Sequence, residues 1–550
     1  MSKGKSGCFT GELTSRCLWV FLTLIAVLGS TGCGGESSSS AGSGETSLPE
    51  SAETAPPEPT EPSPPPSPPP SSPPPLTCGT SDEPWQEGMF CPSDNFHQYC
   101  ADLSKAFSAD AKQGTYVDEN NWLRSWSHET YLWYDEIEDM DPACCTTEEY
   151  FELMKTKETT SSGKPKDRFH FSQPTREYRQ LSNEGIMAGY GVRLKILQRS
   201  PPRNVVVAYT EPGSPATAAS VNLVRGTQIL GVDGIDIVNS TDEDEVDKIN
   251  AALNPSVGDT HTFTVKDPGS FSQERSVTMT AGEITVHPVQ NVKVITTSEG
   301  NRVGYMLFNA HNDPAAQPLI SAGNTFRRGR GIDDLVLDLR YNNGGFIYIA
   351  QIITSIIAGS AGNGKNFATI EYNNKTDKRS APFAGAFKDE NGTVYRLPYL
   401  DLPRLFVLTS SSTCSASELI INSLRGIDIE VILVGSTTCG KYHGFVSTDN
   451  CGTTYSTIQL RIVNDKGVAD YDDGFSPTCS VADNDYDHQL GDPEEGLLKT
   501  ALAYQADDAC PSSSAAQVRD AAPKSSQEES LSIDPVPSPY SSLPGLILDW

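Results

Sequence analysis

The chain is short of positive charge. Its 550 residues include 41 lysines and arginines against 71 aspartates and glutamates, a formal charge of −30. Nucleic-acid binders carry basic patches, so this balance argues against nucleic acid as a partner and fits a chain kept soluble by self-repulsion. Long apolar runs are also missing. Residues 17–28 form an uncharged, mostly apolar stretch of twelve, too short to span a bilayer as a helix. There is no Cys-x-x-Cys pair, no Walker motif, no Gly-x-Ser-x-Gly elbow and no His-Glu-x-x-His. Thiolate metal sites, phosphate cradles, the usual hydrolase elbow and a zincin centre therefore lack support, and no cofactor or metal is expected.

What is present begins with an export signal. Lys3, Lys5 and Arg16 precede the apolar stretch, and Ser30-Thr31-Gly32-Cys33 follows it with small residues before a cysteine. Residues 1–32 read as a signal peptide. The pattern resembles a bacterial lipoprotein signal, although Ser30 stands where leucine is usual. That resemblance implies lipidation at Cys33, attachment to a membrane through the lipid, and an outer-membrane location facing periplasm or cell surface, since Gly34 is not aspartate. Residues 33–77 form a tether with fourteen prolines between Pro49 and Pro75, extended and without a core. Ten of the thirteen cysteines lie beyond Cys33, an even number that predicts disulfides in an oxidising compartment. Local pairs among the first five with one long link, and Cys439–Cys451 across a hairpin, are the favoured pairing.

The remainder divides by texture. Residues 78–186 read as a helical domain, with Trp122, Trp126, Trp133 and Ile137 at helical spacing and a capping box at Thr146-Thr147-Glu148-Glu149. Residues 187–285 alternate into strands at 192–197, 205–209, 229–232, 262–265 and 276–279, with short helices at 215–220 and 245–253. This segment resembles a PDZ domain through Gly189-Tyr190-Gly191-Val192, Pro212-Gly213-Ser214-Pro215-Ala216 and the run from Gly226 to Gly234. The resemblance implies that Gly189, Tyr190, Gly191 and Val192 bind a peptide C-terminus by strand addition. Residues 286–510 alternate strand and helix, an α/β core. Residues 511–550 are Ser/Pro-rich and predicted to be a disordered tail. Asp483-Asn484-Asp485-Tyr486-Asp487 reads as a solvated acidic loop.

Within the α/β part, the apolar strand 405–408 runs into Ser412-Thr413-Cys414-Ser415-Ala416-Ser417-Glu418, and a helical pattern follows. Ser415 is thereby expected at a strand-to-helix turn near the positive end of a helix dipole. A second apolar strand, 431–434, leads to Lys441. A serine hydroxyl is a weak nucleophile until a base takes its proton, and a lysine whose pKa is lowered by burial can be that base. The strand 335–340 ends in Tyr341-Asn342-Asn343-Gly344-Gly345, a turn that lets backbone approach a substrate closely.

The order of helical segment, PDZ-like segment, Asp-Leu-Arg-x-Asn-x-Gly-Gly, Ser-Ala-Ser-Glu and Gly-Lys resembles the S41 serine peptidases, the C-terminal processing or tail-specific proteases. The resemblance implies a multidomain protein: an N-terminal helical domain, a PDZ-like β-rich domain and a crotonase/ClpP-like α/β core. Ser415 would be nucleophile, Lys441 general base, and the N–H groups of Ala416 and of Gly344 or Gly345 the oxyanion hole. Substrates would be unfolded polypeptides or polypeptides with an exposed C-terminus. Glu418, Arg340 and Asn342 are expected to be structural. Many family members carry glutamine four residues after the lysine; Phe445 stands there in this chain, and His443 is expected to help position Lys441. Cys414 is expected to be paired or buried rather than nucleophilic. The alternatives are a catalytically weak peptide-binding protein and a non-peptide acyl hydrolase on the same core.

Overall fold

The computed structural model describes residues 85–269 and 271–512. The signal, Cys33, the tether and nearly all of the C-terminal tail lie outside the described residues. No described helix is long and apolar enough to cross a membrane.

The first described part is less helical than its aromatic spacing predicts. Helix α1, Tyr116–Thr130, starts at a capping box between Thr115 and Asp118. It carries Trp122 and Trp126, whose rings stack at 5.1 Å, and ends before Trp133, which sits in a following turn. The expected box at Thr146 and Glu149 caps the short helix Thr147–Leu153. Turns make up much of the rest, and the segment is stitched to distant chain. The strand Phe171–Pro174 pairs antiparallel with Thr453–Ser456, and Cys100 is bonded to Cys451.

Next comes a six-stranded sheet that runs, along its main path, Glu274–Thr280, Thr260–Lys266, Gln228–Val232, Asn204–Thr210, Val192–Gln198. Each expected strand is present, longer by a residue or more. Helix α2, Glu243–Leu253, buries Val246, Ile249, Ala252 and Leu253, the i, i+3, i+6, i+7 stripe of a helix packed on one face.

The core sheet has the strands β1 (Val289–Thr296), β2 (Arg302–Phe308), β3 (Asp334–Asp338), β4 (Arg404–Thr409), β5 (Glu430–Gly435) and β6 (Cys479–Ser480), in that spatial order. β1 is antiparallel to β2, and the other pairs are parallel. Parallel strands covered on both faces read as continuous apolar runs. Alternate residues go to opposite faces. Leu335, Leu337, Leu405, Val407 and Leu433 pack with helices α3 (Ala316–Phe326), α4 (Ile347–Ala358) and α5 (Ala416–Gly426). Val336, Phe406, Leu408, Ile432 and Val434 pack with α6 (Gly496–Asp507) on the other face. The carboxyl ends of β2, β3, β4 and β5 lie at one edge of the sheet, where open α/β sheets build their sites.

The expected long link from the first five cysteines is present as Cys100–Cys451, but the expected Cys439–Cys451 pair is not. Cys439 is bonded to Cys414, Cys451 to Cys100, and Cys479 to Cys510. Cys144 and Cys145 are free thiols. Residues 439 and 451 are separated by the turn into His443–Gly444 and the strand Thr448–Asn450, so they do not face each other across a hairpin. The acidic loop is solvated only in part, at Asn484 and Asp487. Asp483 is buried between Arg225, Arg340 and Tyr341.

Candidate active site

Ser415 ends the loop after β4 and begins α5. Its backbone has φ +57° and ψ −113°, a left-handed conformation that a non-glycine residue holds only when its surroundings impose it. Several bonds impose it here. The Cys414 N–H donates to the Asn342 carbonyl, the Ser417 hydroxyl donates to the same oxygen, and the Thr413 hydroxyl donates to Leu339 O. The loop after β4 is thus held against the loop after β3. Ser415 is fully buried and its Oγ has no hydrogen-bond partner among the described residues.

Gly344 and Gly345 sit between Ser415 and His311. A Cβ on Gly344 would lie 2.9 Å from Ser415 Cβ and 3.0 Å from Ala416 N; one on Gly345 would lie 2.4 Å from His311 O. Both have positive φ, +102° and +136°, so glycine is required for space and for backbone. The Gly344 N–H is taken by Asn342 Oδ1 at 2.9 Å. The N–H groups of Ala416 and Gly345 donate to nothing among the described residues. Of the two glycines expected to serve an oxyanion, Gly345 is the one with a free donor.

Lys441 follows β5 through a loop fastened at Gly440, whose φ is +84° and where a Cβ would meet Asp472 O at 2.1 Å. Its side chain is buried, with Nζ 4.7 Å from the centre of the Phe169 ring and 4.3 Å from that of Phe445. Burial lowers its pKa to about 7, against the opposing pull of Asp167 and Glu418, with Arg168 adding to the fall. Asp167 is buried and accepts from the Tyr131 hydroxyl at 2.8 Å. Arg168 holds its segment on the lysine loop by donating to the carbonyls of Cys439, Gly440 and Asp472.

Glu418 joins the two loops. Its carboxylate accepts from the N–H groups of Ser415 (3.0 Å), Gly440 (2.8 Å) and Lys441 (2.8 Å) and from the Thr438 hydroxyl. Burial raises its pKa, and these four donors oppose the rise. The Cys414–Cys439 disulfide spans the same gap. Cys414, Cys439 and Glu418 bring ligand atoms within 4.8 Å of one another, but the sulfurs are spent on each other and the carboxylate on N–H donors.

His443 opens the two-residue strand His443–Gly444, and Lys441 precedes that strand. Its ring contacts Trp133 and Tyr442, and burial pushes its pKa to about 3. Arg340 is fully buried, bonded to Asp338, Asp483 and Glu495. Asp167 and His311 are the residues that sequence reasoning missed. Neither lies in a motif, and each meets the site only through folding.

Gly189, Tyr190, Gly191 and Val192 line a groove of about 560 Å³ with Leu194, Leu253 and other apolar side chains. The Tyr190 ring itself is buried against Phe263, so the tyrosine offers backbone to the groove. The N–H groups of Tyr190 and Gly191 donate to nothing among the described residues.

Residues 302–462 match the family model Peptidase family S41. No curated protein sequence matches the chain. Among solved structures, an S41 protease assignment from Bacteroides fragilis is similar at 22% identity and TM-score 0.55, over 70% of this chain and 97% of that one. The photosystem II D1 C-terminal processing protease has 19% identity and TM-score 0.40, covering 71% and 97%. Mature CPAF has 11% identity and TM-score 0.38, covering 71% and 97%. The first of these shares the fold. From β2 to the strand Leu460–Val463, the chain carries a Peptidase family S41 domain.

Proposed function

We propose that the protein is an exported, lipid-anchored serine endopeptidase that cleaves unfolded or tailed polypeptides through Ser415 and Lys441. The observation that carries this reading is the conjunction at one sheet edge. A serine held at positive φ faces a Gly-Gly turn, and a buried lysine with pKa about 7 is tied to it through Glu418 and a disulfide. Near neutral pH a large fraction of such a lysine is the free amine, the form a base requires.

In this reading the Lys441 amine takes the Ser415 proton as Oγ bonds to the peptide carbonyl carbon. The developing oxyanion receives the Ala416 and Gly345 N–H groups. Collapse breaks the C–N bond, and the Lys441 proton passes to the leaving amine. Water then attacks the acyl-enzyme with the same lysine as base, releasing the acid and restoring Ser415. Ser415 Oγ has no partner among the described residues, so substrate binding must bring hydroxyl and amine into hydrogen-bond reach. The groove at residues 189–192 would take the substrate's C-terminus, with the Tyr190 and Gly191 N–H groups facing its carboxylate. Cys33 would carry the lipid.

Turnover of denatured casein and of a simple activated ester tests the reading. Wild type should cleave casein, and Ser415→Ala and Lys441→Ala should each lose at least about a thousandfold. Equal cleavage by the variants would refute the mechanism. Ester hydrolysis without casein cleavage would make the protein a different acyl hydrolase.

A further inference from the structure

Six buried polar atoms at the carboxyl edge of the core sheet have no hydrogen-bond partner among the described residues: Ser415 Oγ, His311 Nε2, and the Oδ1 and Nδ2 atoms of Asn309 and Asn312. All four residues are fully buried. Apart from Ser415, they belong to the turn after β2. Buried polar atoms are normally paired, and each exception calls for an explanation. One such atom is ordinary; five in four consecutive residues beside a buried serine are a pattern.

The turn lies between the two places where a peptide is expected. On one side, His311 meets the Gly344-Gly345 turn: its N–H donates to Gly344 O, and the Phe346 N–H donates to His311 O. On the other side, Asn312 Nδ2 lies 3.4 Å from where a Cβ on Gly185 would stand. Ile186 and Met187, the next residues, line the groove.

The chemistry of the free atoms is fixed by their neighbours. Asn342 Nδ2 donates to Phe308 O, and its Oδ1 accepts from the Gly344 N–H. Oδ1 is therefore an acceptor toward His311 Nδ1, 3.0 Å away, and Nδ1 must carry the proton. The free Nε2 is then a bare lone pair. Burial, which pushes the His311 pKa to about 3, keeps the ring neutral. Asn309 and Asn312 each offer one donor and one acceptor. One lone pair and two amides complement the alternating N–H and C=O groups of an extended peptide.

We propose that residues 309–312 are a backbone-reading site: Asn309, His311 and Asn312 pair with main-chain amides of the substrate between the groove and Ser415. This rests on the peptidase reading above. The site recognises peptide backbone and not side chains, which suits a protease acting on many unfolded sequences.

The variants Asn309→Leu, His311→Phe and Asn312→Leu test it, with His311→Gln keeping an acceptor. Peptide hydrolysis, acylation by p-nitrophenyl acetate and Tm are read for each. The expected result is a fall of about tenfold or more in peptide kcat/KM, mostly through KM, with ester acylation within about twofold of wild type. Tm should hold or rise for Asn309→Leu and Asn312→Leu, because unpaired buried polar atoms have been replaced by apolar ones; His311→Phe also removes the Nδ1–H bond to Asn342 Oδ1 and is read on its KM-against-kcat split. His311→Gln should recover part of the loss. Unchanged peptide kcat/KM in all three variants, or a joint fall of peptide rate, ester rate and Tm in Asn309→Leu and Asn312→Leu, overturns the proposal and makes the turn structural. A wild type that turns over the ester but no peptide overturns the peptidase reading itself, and this proposal with it.

Discussion

At the scale of single residues, the account turns on the protonation of Lys441. Its ammonium is disfavoured by burial and favoured by Asp167 and Glu418. Below about pH 7 the lysine is charged and cannot accept the Ser415 proton, so kcat/KM should fall about tenfold per pH unit there and level off above about pH 8. Asp167→Asn removes an anion that stabilises the charged form. The Lys441 pKa must then drop further, and the acidic limb of the profile should move to lower pH. A limb that stays in place would show that Asp167 does not act on the lysine. Ser415, Lys441 and the Gly-Gly turn were legible in the sequence because each sits in a local pattern that strand ends make chemical sense of. The setting of Lys441 was not. In the sequence Phe445 is only the absence of an orienting glutamine; the structure puts its ring, with that of Phe169, against the amine. Phe169 and Asp167 are more than 270 residues away in the chain, and nothing local marks them.

At the scale of elements, the site is a pair of loops that must hold register. Glu418 was expected to be structural, and its four donors give that role its content. Glu418→Ala would leave the N–H groups of Ser415, Gly440 and Lys441 buried without an acceptor. At about 1–3 kcal/mol for each buried unsatisfied group, the variant should lose roughly 3 kcal/mol or more in denaturant unfolding. The Cys414–Cys439 bond works across the same gap. The double variant Cys414→Ala with Cys439→Ala should lose about 2–4 kcal/mol and lower kcat more than it raises KM. Peptide turnover equal to wild type would show that Glu418 alone sets the loop register. Strand positions were read well from apolar runs, since strands buried on both faces leave a continuous signature. The partner of Cys439 was not, because it depends on which loops the parallel sheet brings together.

At the scale of the whole molecule, the groove-bearing sheet and the core are joined by buried charge. Arg225, in the loop between the groove strands, bonds to Asp483 and to the Tyr341 hydroxyl, while Arg340 bonds to Asp338, Asp483 and Glu495. Residues 340 and 341 directly precede the Asn342 to Gly345 turn. Arg225→Met would leave Asp483 with one cation fewer in a buried place, and should destabilise by roughly 3–5 kcal/mol, read as a lowered denaturation midpoint. Stability equal to wild type would mean that Arg340 alone balances Asp483. The chain order of groove-bearing segment, Gly-Gly turn, serine and lysine was legible because each stage has its own pattern. That residues 85–186 pack on the core through Cys100–Cys451 and the strand Phe171–Pro174 was not, because those contacts join opposite ends of the sequence.

The central claim is that Ser415 cleaves peptide bonds. Mass spectrometry of the new N-termini generated from an unfolded polypeptide tests it most directly, with wild type and Ser415→Ala run side by side. The account predicts a defined set of internal cleavages from wild type and none of them from the variant. The same termini from both proteins, or none from wild type, would contradict it.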